Sequence, residues 1–238
     1  MKKPSLLLLM TVIGFACHPS LAVAQSETEP MKKSAMVFTC VALSQLPVQK
    51  LYYKNGTSYL PVELREKKRS PSYPLEKAAE FALYMPAQTE QGGTDYKVVG
   101  TTPLPAPSSS TIIILMPGES PSGLPLRIIA LDDSLEGFPA GSFRFANFSA
   151  SGLLVKVKDK VTKLEANTIA VTDSCSPADG GLVPLYIGNL QSELRYFTRL
   201  YAHPRSREII FIGKSNNPEK KFEFLFIPQN VPVVEKAR

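Results

Sequence analysis

From about residue 35 onward the sequence is divided into short apolar runs, punctuated by Gly, Pro, Asn and Asp before a long helix could form. Short β-branched and aromatic runs at spacings of about 8–12 residues, with turn residues between them, are the pattern of sandwiches and barrels. The runs include Ala35–Leu43 (AMVFTCVAL), Val48–Lys54 (VQKLYYK), Thr57–Leu64, Tyr96–Gly100, Pro125–Leu131, Gly141–Asn147 (GSFRFAN), Gly152–Val157, Val161–Leu164, Thr168–Thr172, Leu182–Gly188, Leu194–Tyr201, Glu208–Gly213 (EIIFIG) and Lys221–Ile227 (KFEFLFI). Leu75–Tyr84 has partial helical spacing, but Phe81–Met85 before Pro86 suits a strand better. Thr111–Met116 (TIIILM) is continuously apolar and suits a strand buried on both faces. Asn55-Gly56 between two such runs predicts a hairpin turn in which both residues take positive φ. Asp159-Lys160 and Asn216-Asn217-Pro218 stand where further hairpins should turn. Phe143, Phe145 and Phe148 are expected on one core face, with Arg144 and Ala146 toward water. Phe222, Phe224 and Phe226 should share a second core face.

The first 24 residues have another use. Lys2 and Lys3 precede the apolar run Ser5–Ala16, and Ala22-Val23-Ala24 follows Pro19. A basic start, a short apolar stretch and an A-x-A site form a secretory signal peptide. The run is too short to span a membrane. Cys17 could be the lipidated residue of a lipoprotein signal, but Gly14 stands where such signals carry Leu, so cleavage after Ala24 is expected. The expected fold is all-β: two consecutive β-sandwich (Ig-like) domains after a cleaved signal peptide. They would occupy 35–135 and 136–230, divided near Asp132–Pro139 (DDSLEGFP), with a flexible lead-in at 25–34 and a tail at 231–238.

Loss of the leader leaves 25 basic and 21 acidic residues, a balance of +4 over 214 positions. That charge and the export signal argue against nucleic acid as a partner. No later run is long enough to form a transmembrane segment. Cys40 and Cys175 remain as an even pair that could close one disulfide in an oxidising compartment, or stay as two small buried thiols.

Catalytic patterns fail one after another. His203, the histidine left after leader removal, sits in Tyr201-Ala202-His203-Pro204-Arg205 at an expected turn, and no G-x-S-x-G elbow supplies a nucleophile. A zinc site would need Cys40 and Cys175 beside that histidine. Gly213-Lys214-Ser215 lacks the upstream glycine of a phosphate loop. Asp132-Asp133 could serve calcium or glycoside hydrolysis, but lacks further oxygen-rich spacing and reads as a solvated turn. The sequons Asn55-Gly56-Thr57 and Asn147-Phe148-Ser149 matter only in a glycosylating pathway. No cofactor, metal or catalytic residue is therefore expected. Two basic clusters remain as a candidate patch for an anionic ligand: Arg65, Lys67, Lys68 and Arg69 in one loop, and Arg199, His203, Arg205 and Arg207 around another turn.

The stretch Phe138–Thr172, with FPAGSFRFANFS followed by LVKVKDKVTKL, resembles a pattern of secreted bacterial β-sandwich envelope proteins, in which an R-x-x-N-x-S strand precedes a short strand, a turn and K-x-x-x-L. The periplasmic accessory protein of alginate O-acetylation carries a similar pattern. The resemblance covers about 35 residues and is one of packing, so it implies fold and compartment and carries over no catalytic residue. The expected function is a non-catalytic binding or assembly module of the envelope, its partner an envelope protein or polysaccharide. The alternatives are an accessory role in exopolysaccharide modification and a secreted hydrolase with an unrecognised site.

Overall fold

The computed structural model describes residues 36–231 except 77, 107, 119–122, 192 and 216–220. The expected leader with Cys17, the lead-in 25–34, the tail beyond Val231 and the turn expected at Asn216-Asn217-Pro218 lie outside the described residues. The first half of the chain forms β1 (Met36–Ala42), β2 (Leu51–Asn55), β3 (Ser58–Val62), β4 (Tyr73–Leu75), β5 (Glu80–Gln88), β6 (Thr94–Pro103), β7 (Ser110–Pro117) and β8 (Leu126–Asp132). The second forms β9 (Phe143–Asn147), β10 (Leu153–Val157), β11 (Lys160–Leu164), β12 (Ile169–Val171), β13 (Gly181–Asn189), β14 (Leu194–Ala202), β15 (Ser206–Lys214) and β16 (Phe222–Asn230). Among the described residues the chain is all-β, with no helix. In particular, no helix is long and apolar enough to cross a membrane.

Two turns differ from the expectation by one residue. Asn55 pairs with Ser58, so the loop residues are Gly56 and Thr57, and of these only Gly56 has positive φ, 59°. Glycine at the first central position is the type II′ requirement. Asn55 stays in the strand, where its Oδ1 accepts a hydrogen bond from the Glu76 amide at 3.1 Å. Likewise Val157 pairs with Lys160, so β10 and β11 turn at Lys158-Asp159, with Lys158 at φ 52°.

The two halves repeat one topology. Sheets of order β4-β1-β7-β8 and β3-β2-β5-β6 in the first half correspond to β12-β9-β15-β16 and β11-β10-β13-β14 in the second. In both, the first strand pairs in parallel with the seventh, Phe38 beside Thr111 and Phe143 beside Glu208. The closing hydrogen bond also matches: Leu43 N donates to Leu115 O in one half, Phe148 N to Ile212 O in the other. Even the β-bulge recurs at one place, after Leu83 of β5 and after Ile187 of β13.

Three apolar clusters stack the four sheets as layers. Phe38, Cys40, Ile113 and Leu115 face Leu51, Tyr53, Phe81 and Leu83 between the sheets of the first half. Phe143, Phe145, Ile210 and Ile212 face Val155, Leu185, Ile187 and Leu200 in the second. The third cluster joins the halves back to back: Val41, Ile112 and Ile114 against Ala146, Ile209, Phe211 and Ile227, with Phe138 of the connecting segment among them. Each such side chain, fully buried, contributes about 1.5–3 kcal/mol. The two inner sheets are therefore covered on both faces, which explains the unbroken apolar run of β7. It also corrects the reading of β9. Arg144 and Ala146 do not meet water, being 3% and 0% exposed, because the other half lies over them. Phe148 leaves the face of Phe143 and Phe145 and stacks on Phe211, with ring centroids 5.9 Å apart.

Candidate functional site

Pleating settles which tyrosines of the first half reach the surface. On β2, Leu51 and Tyr53 enter the core, so Tyr52 and Lys54 point outward. On β5, Phe81 and Leu83 enter the core, so Tyr84 points outward beside its cross-strand partner Tyr52. The bulge at Val99 keeps Tyr96 and Val98 of β6 on that same outer face. The side chains then lean across the sheet. Tyr59 of β3 and Tyr96 lie parallel, with centroids 4.0 Å apart and planes within 6°. Tyr84 meets Tyr59 edge-on at 5.0 Å, Tyr52 meets Tyr96 edge-on at 5.1 Å, and Lys54 Nζ lies 5.9 Å from the Tyr59 ring centre. All four tyrosines are half-buried, largely by one another. Partial burial, with Tyr59 and Glu80 close by, pushes the Tyr84 hydroxyl above its usual pKa. The result is a cluster of four amphipathic rings on a rigid sheet, two stacked and two edge-on, suited to apolar contact and hydrogen bonding rather than proton transfer. Sequence reasoning missed it because the four rings come from four strands. The available signal was parity: Tyr52 alternates with Leu51 and Tyr53, and Tyr84 with Leu83.

The corresponding outer face of the second half is apolar as well. Leu182, Leu194, Phe197 and Tyr201 are 62%, 59%, 48% and 61% exposed, and Tyr186 packs on Phe197 at 4.7 Å. Lys156 repeats the role of Lys54, with its Nζ 5.9 Å from the Tyr186 ring centre. Leu154, Val161, Tyr186 and Leu194 border a shallow groove of about 300 Å³.

No family model fits the chain, and no curated protein matches it.

The basic residues singled out in the sequence separate into two groups. Arg65, Lys67, Lys68, Arg199 and Arg205 are exposed, Arg65 paired with Glu63 at 2.6 Å and Lys67 with Glu66 at 3.8 Å. His203 is half-buried at the turn after β14, its Nδ1 accepting a hydrogen bond from Arg205 N at 3.0 Å. Arg69 and Arg207 instead turn inward and converge on Asp133, a buried carboxylate 2% exposed. Arg69 grips both oxygens, at 2.7 and 3.2 Å. Arg207 reaches Asp133 Oδ2 at 3.3 Å and donates to the carbonyls of Asp133, Ser134 and Phe138. Arg144 donates to the carbonyls of Asp132 and Gly137, and its guanidinium lies 4.3 Å from the centre of the Phe138 ring, with that of Arg207 at 4.8 Å. Burial lowers Arg207 and brings Arg144 down to about 10, against the pull of Asp133. These arginines hold the connecting segment and are not available to an external anion.

The acidic pair is structural too. Asp132 accepts from Ser108 Oγ at 2.6 Å and Ser134 N at 2.9 Å. Burial alone would raise its pKa, but these bonds and Arg144 bring it below the usual value. Among the described residues no group of three metal-ligating side chains converges. Cys40 and Cys175 are free thiols: Cys40 lies in the first-half core, and Cys175 packs against that of the second half. Burial pushes both thiols up. Asn147 is fully buried, its amide donating to the carbonyls of Ser151, Leu164 and Glu165, and its Oδ1 accepting from Ser149. That sequon is a staple between strands. Gly213 and Lys214 lie within β15, not before a helix.

Proposed function

We propose that the chain is an exported, non-catalytic binding module of the cell envelope, each half an Ig-like β-sandwich, that holds a polysaccharide against its outer tyrosine face. The parallel stack of Tyr59 on Tyr96 at 4.0 Å, flanked by Tyr52 and Tyr84, carries the reading. A sugar ring offers an apolar C–H face and a rim of hydroxyls, and tyrosine offers an apolar ring with a polar tip. Lys54 adds a cation beside Tyr59 for an acidic sugar. The resemblance of Phe138–Thr172 to envelope proteins, one of them acting in alginate modification, favours an acidic polymer. The apolar outer face of the second half supports the assembly side of the same role, with Lys156 and Arg199 on that face favouring a partner with an acidic rim.

Affinity electrophoresis in gels containing alginate, with a neutral glucan as comparison, tests the proposal. Retardation of the protein by alginate, lost by at least tenfold in Tyr59→Ala/Tyr96→Ala at unchanged melting temperature, is the expected result. Equal retardation of the variant, or chemical change in the polymer on incubation, would overturn it.

A further inference from the structure

The halves share a topology, yet they differ at one end of the space between their sheets. In the first half, Thr111 stands on the core-facing row of β7 and is fully buried. Met36, two residues before its neighbour Phe38, covers it, and Thr111 Oγ1 lies 3.9 Å from the Met36 sulfur. At the corresponding place in the second half, Glu208 stands beside Phe143, and two residues before Phe143 is Gly141. Its φ is +76°, and an added Cβ would lie 2.5 Å from Ser174 Oγ, so no side chain can take the place of Met36. An open cavity of about 470 Å³ remains, with Phe143, Leu200, Ala202 and Phe226 as apolar members, Ser142, Ser206 and Asn230 as neutral polar ones, and Glu208 as its one carboxylate among Arg199, His203 and Arg207.

Glu208 is the unusual member. Its place in the row belongs to apolar or small residues, Ile210 and Ile212 following it. Among the described residues no donor or cation meets its carboxylate, and burial pushes its pKa up with no charged neighbour pulling it back. The titratable groups around the cavity are Arg199, Tyr201 and His203, while Arg207 leaves on the opposite face of β15 toward Asp133. A half-buried carboxylate with no partner, set beside Phe143, Leu200 and Phe226, is open to a ligand that supplies the opposite charge. One carboxylate is too few for a metal ion.

We propose that this cavity binds a small primary alkylammonium, its charged head on the Glu208 carboxylate and its apolar stem against Phe143, Leu200 and Phe226. The probe is n-pentylamine at pH 7, compared with n-pentanol and pentanoate of the same length, titrated by calorimetry and by NMR shifts. Roughly millimolar binding suits a ligand of so few atoms. The amine should bind at least tenfold more tightly than the alcohol, and the acid should not bind. Glu208→Gln should erase the preference for amine over alcohol. Glu208→Thr, which installs the first-half residue, should do the same with an unchanged or higher melting temperature. Failure of the wild type to bind the amine, preference for pentanoate, or undiminished amine binding in folded Glu208→Gln would overturn the proposal.

Discussion

Asp133 is the residue on which the two halves depend most. Arg69 comes to it from the first half and Arg207 from the second. Asp133→Ala would leave two buried guanidiniums without their anion, and removing one partner of such a set costs about 3–5 kcal/mol. Urea unfolding should show that loss, and a change below 1 kcal/mol would mean that the carbonyl bonds alone suffice. Two other carboxylates titrate with opposite sign. Asp132 has a lowered folded pKa, so it adds stability above its unfolded pKa, near 3.8, and loses it as pH falls through the folded value. Asp132→Asn should flatten the acid limb of the stability curve; Arg144 and Arg207 are the charged groups acting on this carboxylate. Glu208 has a raised folded pKa, so its cost to stability develops as pH rises above about 4.5. Glu208→Gln should raise the melting temperature at pH 7 and leave it unchanged at pH 4. Melting temperatures at the two pH values decide it, and an equal gain at both would refute the assignment.

At the level of strands, Gly100 shows how one residue sets the approach of two elements. An added Cβ would lie 2.5 Å from Ile128 Cδ1 and 3.0 Å from the Leu126 carbonyl, so β6 comes directly against β8. Across the matching bulge, Leu83 pairs with Gly100 but Ile187 pairs with Tyr196. Tyr196 stacks on Phe224 at 4.2 Å, so a ring takes the place of close backbone approach between β14 and β16. Gly100→Ala should therefore cost about 1–3 kcal/mol by overpacking, because one of the opposing atoms is backbone and cannot turn aside. Thermal unfolding of this single variant is the measurement, and a loss under 0.5 kcal/mol would show that Ile128 gives way freely. The hairpins teach a related lesson about legibility. Asn55-Gly56 and Asp159-Lys160 mark the right places, but the turns fall on Gly56-Thr57 and Lys158-Asp159. Register is chosen by which residues must enter the core, and turn propensity adjusts to it.

Across the whole molecule, the third apolar cluster decides whether the halves behave as one body. Val41, Ile112, Ile114, Ile209, Phe211 and Ile227 have no water-facing alternative, and Phe138 with its arginines holds the connection between them. Calorimetry should record one cooperative transition, with calorimetric and van't Hoff enthalpies equal. Phe211→Ala should lower stability by about 3–5 kcal/mol in that single transition. Two resolved transitions in the wild-type protein would refute a shared core. The outer faces follow another rule: with nothing over them among the described residues, they gather the tyrosines on one half and Leu182, Phe197 and Tyr201 on the other.

Strand rhythm, turn positions within one residue, and the burial of Thr111–Met116 on both faces follow from the sequence, since each depends on residues close in the chain. Alternation also assigned Arg144 to water, clustering along the chain put Arg69 and Arg207 in a basic patch, and neither reading brought Tyr52, Tyr59, Tyr84 and Tyr96 together. Alternation tells which side chains share a face of a strand. What lies over that face depends on segments a hundred residues away, here the back of the other half or open solvent, and only the folded chain brings those together.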